Sequence, residues 1–485
     1  VQFAPLGGDP DVPVYRRIAD DLAAQIRRGI FRPGDRLPST RRVKIQYGVS
    51  LTTAIAAYRV LEDSGVVHVR PQSGHYVRFP TERRRAEPEA SAPSTEVRRV
   101  DASLAVRLNL GIGNPQAPTL GAAVQGPELM PISALNRLLS QALRDHPASC
   151  HSYDAPPGYL GLRRAIARRG MEAGYSVSPE EILITSGAKE AVYLSICAVT
   201  RPGDTVAIES PAYYALLEVL SSLGLRVVEI ATHPRTGINL DDLSAALTHS
   251  SIAAVVLVSN FSNPTGSCMS DADKQRLVSI LEAHDTPLVE DDVYGELVFA
   301  GQRPRAIKAF DRTGLVLYCG SYSKTLSPGL RVGWSIPGRY QNAVELLKLV
   351  VNQATATAPQ IAIAAYLDNG GFDRHLRRVR RMYATQMAEM IDAVDREFPA
   401  ATRHTNPEGG HVLWVQLPEG VDALELYEDA ATEGIAIAPG PMFSPSGGYR
   451  NYIRLNTGFP WSDRTAHDVR TLGTLVAAHH DRSTT

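Results

Sequence analysis

The chain has 485 residues, 44% apolar and 21% charged, which excludes a single small core and points to two or three well-packed domains. A formal charge of -1 excludes a protein that coats nucleic acid over its whole surface, yet leaves room for one basic domain. Four scattered cysteines, at 150, 197, 268 and 319, form no CxxC pair and no zinc cluster, so buried thiols in a reducing interior are expected, and no metal site. The opening Val1-Gln2-Phe3-Ala4 lacks a basic start and an apolar secretory core, and no run approaches a membrane span. A cytoplasmic protein is the expectation.

Pro13 suits the first turn of a helix, and Ile18, Leu22 and Ile26 then recur at spacing four among Arg16, Arg17, Arg27 and Arg28. Gly29 and Pro33-Gly34 stop it. Ser39 fits as N-cap of a second helix reaching Tyr47 and ending at Gly48. Ser50 caps a third, with Leu51, Ile55, Tyr58 and Leu61 as its apolar face. After Gly65, Val66-Val67-His68-Val69 and Tyr76-Val77 read as two strands about Ser73-Gly74. Three helices and a ribbon predict a winged helix-turn-helix over residues 11–79. Residues 12–79 hold twelve Arg and Lys against five Asp and Glu, a net +7 by subtraction. That is the footprint of duplex contact, although a basic structural appendage carries the same charge.

Residues 80–107 are rich in Pro, Arg, Glu and Ser, and read as an exposed, flexible linker between separately folded units. From 108 to 480, short β-rich runs at 182–185, 205–208, 255–258, 287–290 and 315–318 alternate with helical stretches. The pattern predicts an α/β domain with a mostly parallel sheet covered on both faces, whose ligand groups gather beyond the carboxyl ends of the strands. A large domain is expected over about 150–380. A small α/β domain is expected from the N-terminal segment plus about 381–480, including Leu413-Trp414-Val415 and Ile453-Arg454-Leu455.

The chemistry collects along these strand ends. Ser186-Gly187-Ala188-Lys189-Glu190 is a small-residue turn opening a helix, where free N–H groups can hold a phosphate. Ser321, Ser323 and Arg331 surround Lys324 with phosphate-binding donors. An amine in that setting suits pyridoxal 5'-phosphate (PLP) held on Lys324 as a Schiff base. Asp291 is placed to face a pyridine nitrogen, unless it or Asp292 caps the next helix. Tyr294 can donate to the ring's phenolic oxygen, and Asn263 supplies an amide in Asn263-Pro264-Thr265-Gly266. Tyr213 offers a plane for stacking or a core side chain. Arg454 suits a ligand carboxylate or an inter-domain salt bridge.

These residues resemble the MocR-type subgroup of GntR-like bacterial regulators, in which a winged helix-turn-helix is fused to a fold-type-I, aspartate-aminotransferase-like PLP domain. The reader half is carried by Pro13-Val14-Tyr15, Gly34-Asp35-Arg36-Leu37-Pro38-Ser39, Gly48-Val49-Ser50 and Arg70-Pro71-Gln72-Ser73-Gly74. The resemblance implies DNA contacts from Ser39, Arg41, Ser50, Thr52, Thr53, Arg70, Gln72, Ser73 and Gly74. It implies Lys324 as the Schiff-base residue, Asp291 at the ring nitrogen, Tyr294 and Asn263 at the phenolic oxygen and Tyr213 on the ring. Ser186, Gly187, Ala188, Ser321, Ser323 and Arg331 fall at the phosphate, and Arg454 at an amino-acid carboxylate. Tyr153 matches the tyrosine that reaches a neighbouring subunit's phosphate, which implies a homodimer, with the reader domain of one subunit possible over the other.

Four positions depart from the pattern, one of them Ala54, where a β-branched residue is usual. Leu51 stands where the family commonly has Arg after the capping serine, and residues 51–57 carry no charge. Lys44 replaces a commonly packed alanine, and His411 stands where an apolar residue is usual, either lining the ligand pocket or packed and neutral. Two functions follow from the resemblance. One is a PLP-dependent transcriptional regulator sensing an amine, an amino acid or vitamin B6 status. The other is a PLP-dependent enzyme, aminotransferase-like, whose winged helix is vestigial or structural. A PLP-binding structural subunit is the third and blandest reading.

Overall fold

The computed structural model describes residues 12–28, 30–31, 35–70, 74–77, 85–112 and 120–484. The chain divides into two compact units, the first up to residue 84 and the second from Arg85 onward.

The first unit contains helices α1 (Val14–Arg27), α2 (Thr40–Tyr47) and α3 (Leu51–Asp63), then strands β1 (Val67–Arg70) and β2 (Gly74–Val77). Ser39 Oγ accepts the Arg42 N–H at 3.3 Å to open α2, and Gly48 closes it in the left-handed region at φ 66°. Ser50 Oγ accepts the Thr53 N–H at 3.0 Å to open α3. The two strands pair antiparallel, with Val67 opposite Val77. Ile18 and Leu22 of α1 meet Val43, Tyr47, Ala54, Ala57, Tyr58 and Leu61 in one core. The expected apolar face of α3 needs correction at two positions. Its buried stripe is Ala54, Ala57, Tyr58 and Leu61, an i, i+3, i+4, i+7 set whose two alanines let α1 approach closely. Leu51 and Ile55 lie off that stripe, 41% and 39% exposed. Lys44 is also exposed, so replacing a packed alanine there disturbs no core. The expected turns at Gly29 and Pro33-Gly34, and Gln72 and Ser73, lie outside the described residues.

The second unit is built on β3 (Arg98–Arg99), β4 (Leu183–Thr185), β5 (Thr205–Ser210), β6 (Arg226–His233), β7 (Gly237–Ile238), β8 (Ile252–Leu257), β9 (Leu288–Asp291), β10 (Val316–Ser321) and β11 (Gly333–Ile336). Their order is β3-β6-β5-β8-β9-β10-β11-β4, with β7 paired to β6. The run β6-β5-β8-β9-β10 is parallel, whereas β3, β7, β11 and β4 join antiparallel. Apolar clusters cover both faces, as parallel strands require. A smaller antiparallel sheet follows, from β12 (Arg403–His404), β13 (Val412–Gln416), β14 (Ala438–Pro439) and β15 (Tyr452–Asn456), in the order β12-β13-β15-β14. Its core runs from Met387 to Val476, with Leu120 added from the earlier part of the chain.

Two boundaries differ from expectation. The expected start of the small domain, about residue 381, lies inside one unbroken helix, Gly371–Glu397, that serves both cores. The tether expected over 80–107 is packed from residue 85 onward. The Arg85 guanidinium donates to the carbonyls of Pro399 at 2.6 Å, Asp395 at 2.8 Å, Phe398 at 2.9 Å and Thr402 at 3.3 Å, and pairs with the Asp395 carboxylate at 3.1 Å. Asp395 lies in the last turn of helix Gly371–Glu397, Phe398 is its C-cap and Pro399 and Thr402 follow it, so one side chain caps the helix end and ties down the turn after it. Ser91 Oγ donates to the Ser210 carbonyl at 2.6 Å, and β3 adds to the sheet edge. Composition offers few apolar groups to bury, yet the segment is held by polar bonds and by Val100 and Ala105, which enter the apolar clusters of the second unit. Among the described residues, no helix is long and apolar enough to cross a membrane, and no group of His, Cys, Asp and Glu is arranged to hold a metal.

Candidate functional site

Parallel strands deliver the expected side chains to one place. β8, β9 and β10 all end at a cavity of about 240 Å³ lined by Ala188, Tyr213, Asn263, Asp291, Tyr294, Ser321, Ser323, Lys324 and Arg331. Lys189, Val192, Glu209, Leu216 and Val219 are also among its lining residues, none of which the sequence singled out as ligand-facing. Spacing gave no signal for these, because Glu209 sits on β5 and the others face the cavity only once helices Ala188–Val199 and Tyr214–Ser222 pack beside it.

Lys324 is half-buried because its free face looks into this cavity. Its Nζ donates to the Ala123 carbonyl at 2.6 Å and stands 5.8 Å from the Tyr294 ring centre. Burial, then the nearby Arg454 guanidinium, bring the amine down to about 8. A lysine in that range is partly unprotonated near neutrality and so nucleophilic.

Asp291 and Asp292 separate cleanly. The Asp292 carboxylate is taken by Arg303 at 2.5 Å, Tyr318 at 3.1 Å and Asn260 at 3.0 Å. Asp291 accepts from the Val293 N–H, but its Oδ1 is sealed from solvent with no partner. Burial and the neighbouring Asp292 push its carboxyl up to about 7. An orphaned buried acceptor is costly, and a ring nitrogen carrying a proton is the group that would satisfy it. Tyr294 is buried and bonded to the Asn263 side chain, and burial raises its hydroxyl above the ordinary range.

Arg454 does not line the cavity but stands directly behind Asn263. It sits on β15 between Trp414 and Ala438 of the flanking strands and has no exposed surface. Its Nη1 donates to Asn263 Oδ1 at 3.2 Å, its Nη2 to the Gly121 carbonyl, and its Nε has no partner. No carboxylate answers it among the described residues, so the inter-domain salt bridge is not formed. A buried guanidinium with only neutral partners is the counterpart of a ligand carboxylate.

The phosphate end is narrower than the sequence suggested. The Ser186 N–H is already bound by the Glu190 carboxylate, and the Gly187 N–H donates to the Thr185 carbonyl at 2.9 Å. The first-turn N–H groups of Ala188 and Lys189 lack intrahelical acceptors and belong to residues lining the cavity. Gly187 lies at φ 81°, and a Cβ there would stand 2.6 Å from Arg331 Nη2. Glycine therefore lets Arg331 close on this turn, where its Nη2 donates to the Ser186 carbonyl at 2.9 Å. Ser321 Oγ accepts the Ser323 N–H at 3.3 Å, which sets the two serines side by side. Tyr153 is away from the cavity and 80% exposed.

His411 is the packed alternative. Asn456 donates through Nδ2 to the Val124 carbonyl and accepts the Gly458 N–H on Oδ1, so His411 Nδ1 must donate to that oxygen, at 3.1 Å. Burial, then Lys324, lower the imidazole to about 3, which keeps it neutral.

In the first unit, Ser39 and Ser50 use their hydroxyls as helix caps, and Ser50 Oγ also lies 2.8 Å from Thr53 Oγ1. Arg41 and Thr52 are exposed, Arg70 lies on β1, and Gly74 opens β2 at φ 119°.

The family model for aminotransferase class I and II matches residues 108–460, and that for gntR-family bacterial regulatory proteins matches residues 14–77. The chain is 38% identical over 469 residues to YdcR, an uncharacterized HTH-type transcriptional regulator of Escherichia coli (strain K12), covering 95% of this chain and 98% of YdcR. It matches the crystal structure of a multiple substrate aminotransferase from Thermococcus profundus with TM-score 0.73 and 28% identity, over 79% of this chain and 96% of that one. It also matches LysN, the α-aminoadipate aminotransferase of Thermus thermophilus, complexed with N-(5'-phosphopyridoxyl)-L-leucine. There the TM-score is 0.72 and the identity 30%, over 78% of this chain and 95% of that one. The orphaned Asp291 oxygen, the depressed Lys324 amine and the Arg331 turn all fit PLP, which is the cofactor of the second unit. The chain belongs to the aminotransferase class I and II family and, with its gntR-family domain at residues 14–77, to the MocR-type regulators that join the two.

Proposed function

We propose that the chain is a transcriptional regulator that binds duplex DNA through its first unit and senses a primary amine, most simply an α-amino acid, through PLP at Lys324. The observation that carries this reading is the alignment of both units with YdcR, whereas the two aminotransferase structures match only 78–79% of the chain. When bound, the cofactor supplies an aldehyde that links covalently to amines and a ring that withdraws electrons. The protein holds the ring nitrogen at Asp291, the phenolic oxygen at Tyr294 and Asn263, and the phosphate at Arg331, Ser321, Ser323 and the Ala188 turn. Arg454 orients a ligand carboxylate. Sensing then requires the ligand to bind two arrangements of the protein unequally.

The working state in this reading is a homodimer. Tyr153 stands out from its own protomer, as a residue completing a partner's phosphate cup must. Helix Gln341–Asn352 also exposes Leu346, Leu349, Val350 and Val351, an apolar face of the kind that subunit contact covers.

One observation favours an enzyme instead. The amine of Lys324, lowered to about 8, is suited to proton transfer at a ligand carbon, and Asp291 and Tyr294 retain the supporting roles. A mobility-shift assay separates the readings, using duplex from upstream of the gene with and without PLP and a panel of amino acids. Retardation that changes with one amine, and no longer changes in Lys324→Ala, is expected of a regulator. Failure to retard that duplex under every condition, together with Lys324-dependent turnover of an amine, transfers the function to the enzyme.

A further inference from the structure

Helix Gly371–Glu397 carries Arg374, Arg377, Arg378, Arg380 and Arg381 in its first three turns. They divide into two sets. Arg380 donates to the Glu296 carbonyl at 2.6 Å and pairs with its carboxylate at 3.3 Å. Arg378 donates to the carbonyls of Glu128 and Leu129 at 3.4 and 3.3 Å. Arg374, Arg377 and Arg381 are exposed, and among the described residues none of them makes an ion pair. Their i, i+3, i+7 spacing puts all three on one face. With Arg380 they line a groove of about 500 Å³ whose other wall is the loop Val298-Phe299-Ala300-Gly301.

Like charges at this spacing repel, so the face is unfavourable unless an anion answers it. Local carboxylates do not. Asp373 is held by Arg169 at 2.8 Å, and Glu296 is shared between Arg169 and Arg380. We propose that this groove is a second phosphate-binding surface, which holds the backbone of duplex DNA in addition to the winged helix-turn-helix. The inference rests on the first unit being a DNA binder. Successive arginines climb the helix by about 4.5 and 6 Å, so the three guanidinium groups are spread over about 10 Å of the groove. Guanidinium groups hold phosphate oxygens bidentately. Three cations spread along a line suit a strand better than one small anion, which needs them to converge.

The test uses full-length, PLP-loaded protein and a random-sequence duplex of about 60 base pairs, with affinity followed between about 50 and 200 mM salt. In R374Q/R377Q/R381Q the slope of log affinity against log salt is expected to be shallower by about 2.7, at about 0.9 per contact. The wild-type advantage then shrinks about 40-fold across that range. R374K/R377K/R381K, which keeps the charge, is expected to hold the wild-type slope. An unchanged PLP absorbance band shows that each variant is folded. Equal slopes for wild type and the Gln variant overturn the groove and leave the winged helix-turn-helix reading intact. Equal slopes with loss of inorganic pyrophosphate binding assign the groove to a small anion and also overturn it. A wild type that binds no duplex at any salt removes both readings.

Discussion

Two exposed helix faces carry charge in the reverse of the order their settings suggest. α3, the helix a winged helix-turn-helix presents to DNA, exposes Leu51, Thr52 and Ile55 with Arg59 as the one cation among them. Helix Gly371–Glu397, in the cofactor unit, exposes Arg374, Arg377 and Arg381 together. Within the first unit three exposed cations gather on α2, at Arg41, Arg42 and Lys44, with Arg16, Arg28 and Arg36 exposed elsewhere. Position in a fold therefore does not fix what a face contributes. Apolar and hydroxyl groups on α3 suit thymine methyls and base edges, and in the reading proposed above phosphate contact falls to arginines placed elsewhere.

The sharpest way to break the comparison is to empty one core and watch the other unit. Leu61→Ala removes a fully packed side chain from the first unit and is expected to cost about 2–5 kcal/mol. DNA binding should fail while the PLP band of the second unit is unchanged; loss of that band would contradict separately stable units. Arg85→Ala comes next. Deleting it takes a donor from four carbonyls and from Asp395, which keeps His404, while the Pro399 carbonyl keeps the Thr402 N–H; the cost is about 2–3 kcal/mol. A lowered urea midpoint of the second unit is expected, and an unchanged one would return residues 85–102 to the role of a slack tether. Asp291→Asn removes the partner of the ring nitrogen and should weaken PLP by roughly 10- to 100-fold in a spectrophotometric titration, about 1.5–3 kcal/mol.

Two smaller effects sharpen the same contrast. With the Lys324 amine lowered to about 8, its neutral fraction rises roughly tenfold from pH 7 to 9, and the rate of PLP adduct formation should follow. The folded value lies below the unfolded 10.5, so the unfolded chain binds the extra proton between the two. Cofactor-free protein should therefore gain stability as pH rises through about 8 to 10.5, and Lys324→Met should flatten that rise. Ile55→Ala, on the open face of α3, should change stability by no more than about 0.5 kcal/mol while DNA affinity falls.

Local signals were legible where the physics is local. Ser39, Gly48 and Ser50 mark the ends of α2 and α3, because capping involves only neighbouring backbone. The continuous apolar runs of β5, β8, β9 and β10 announced the parallel run of the sheet, whereas that of β4 joins it through an antiparallel pair, and Lys324, Asp291, Tyr294 and Asn263 meet at the carboxyl ends of the parallel strands. Long-range polar bonds left no such trace. β6 was unread because Glu229 interrupts it, and that carboxylate is buried only with the hydroxyls of Ser210 and Ser444 beside it. Residues 85–102 looked unburiable, since the acceptors for Arg85 lie more than 300 positions away. Ser186 and Gly187 were expected to give their amides to a phosphate, and Glu190 and Thr185 hold those amides instead.

Borohydride reduction of PLP-loaded protein, followed by peptide mass mapping, reaches the cofactor centre directly. One phosphopyridoxyl group on the peptide containing Lys324, absent from Lys324→Ala, is the expected result. An unmodified Lys324 in protein saturated with PLP, or the group fixed to another lysine, would contradict the assignment.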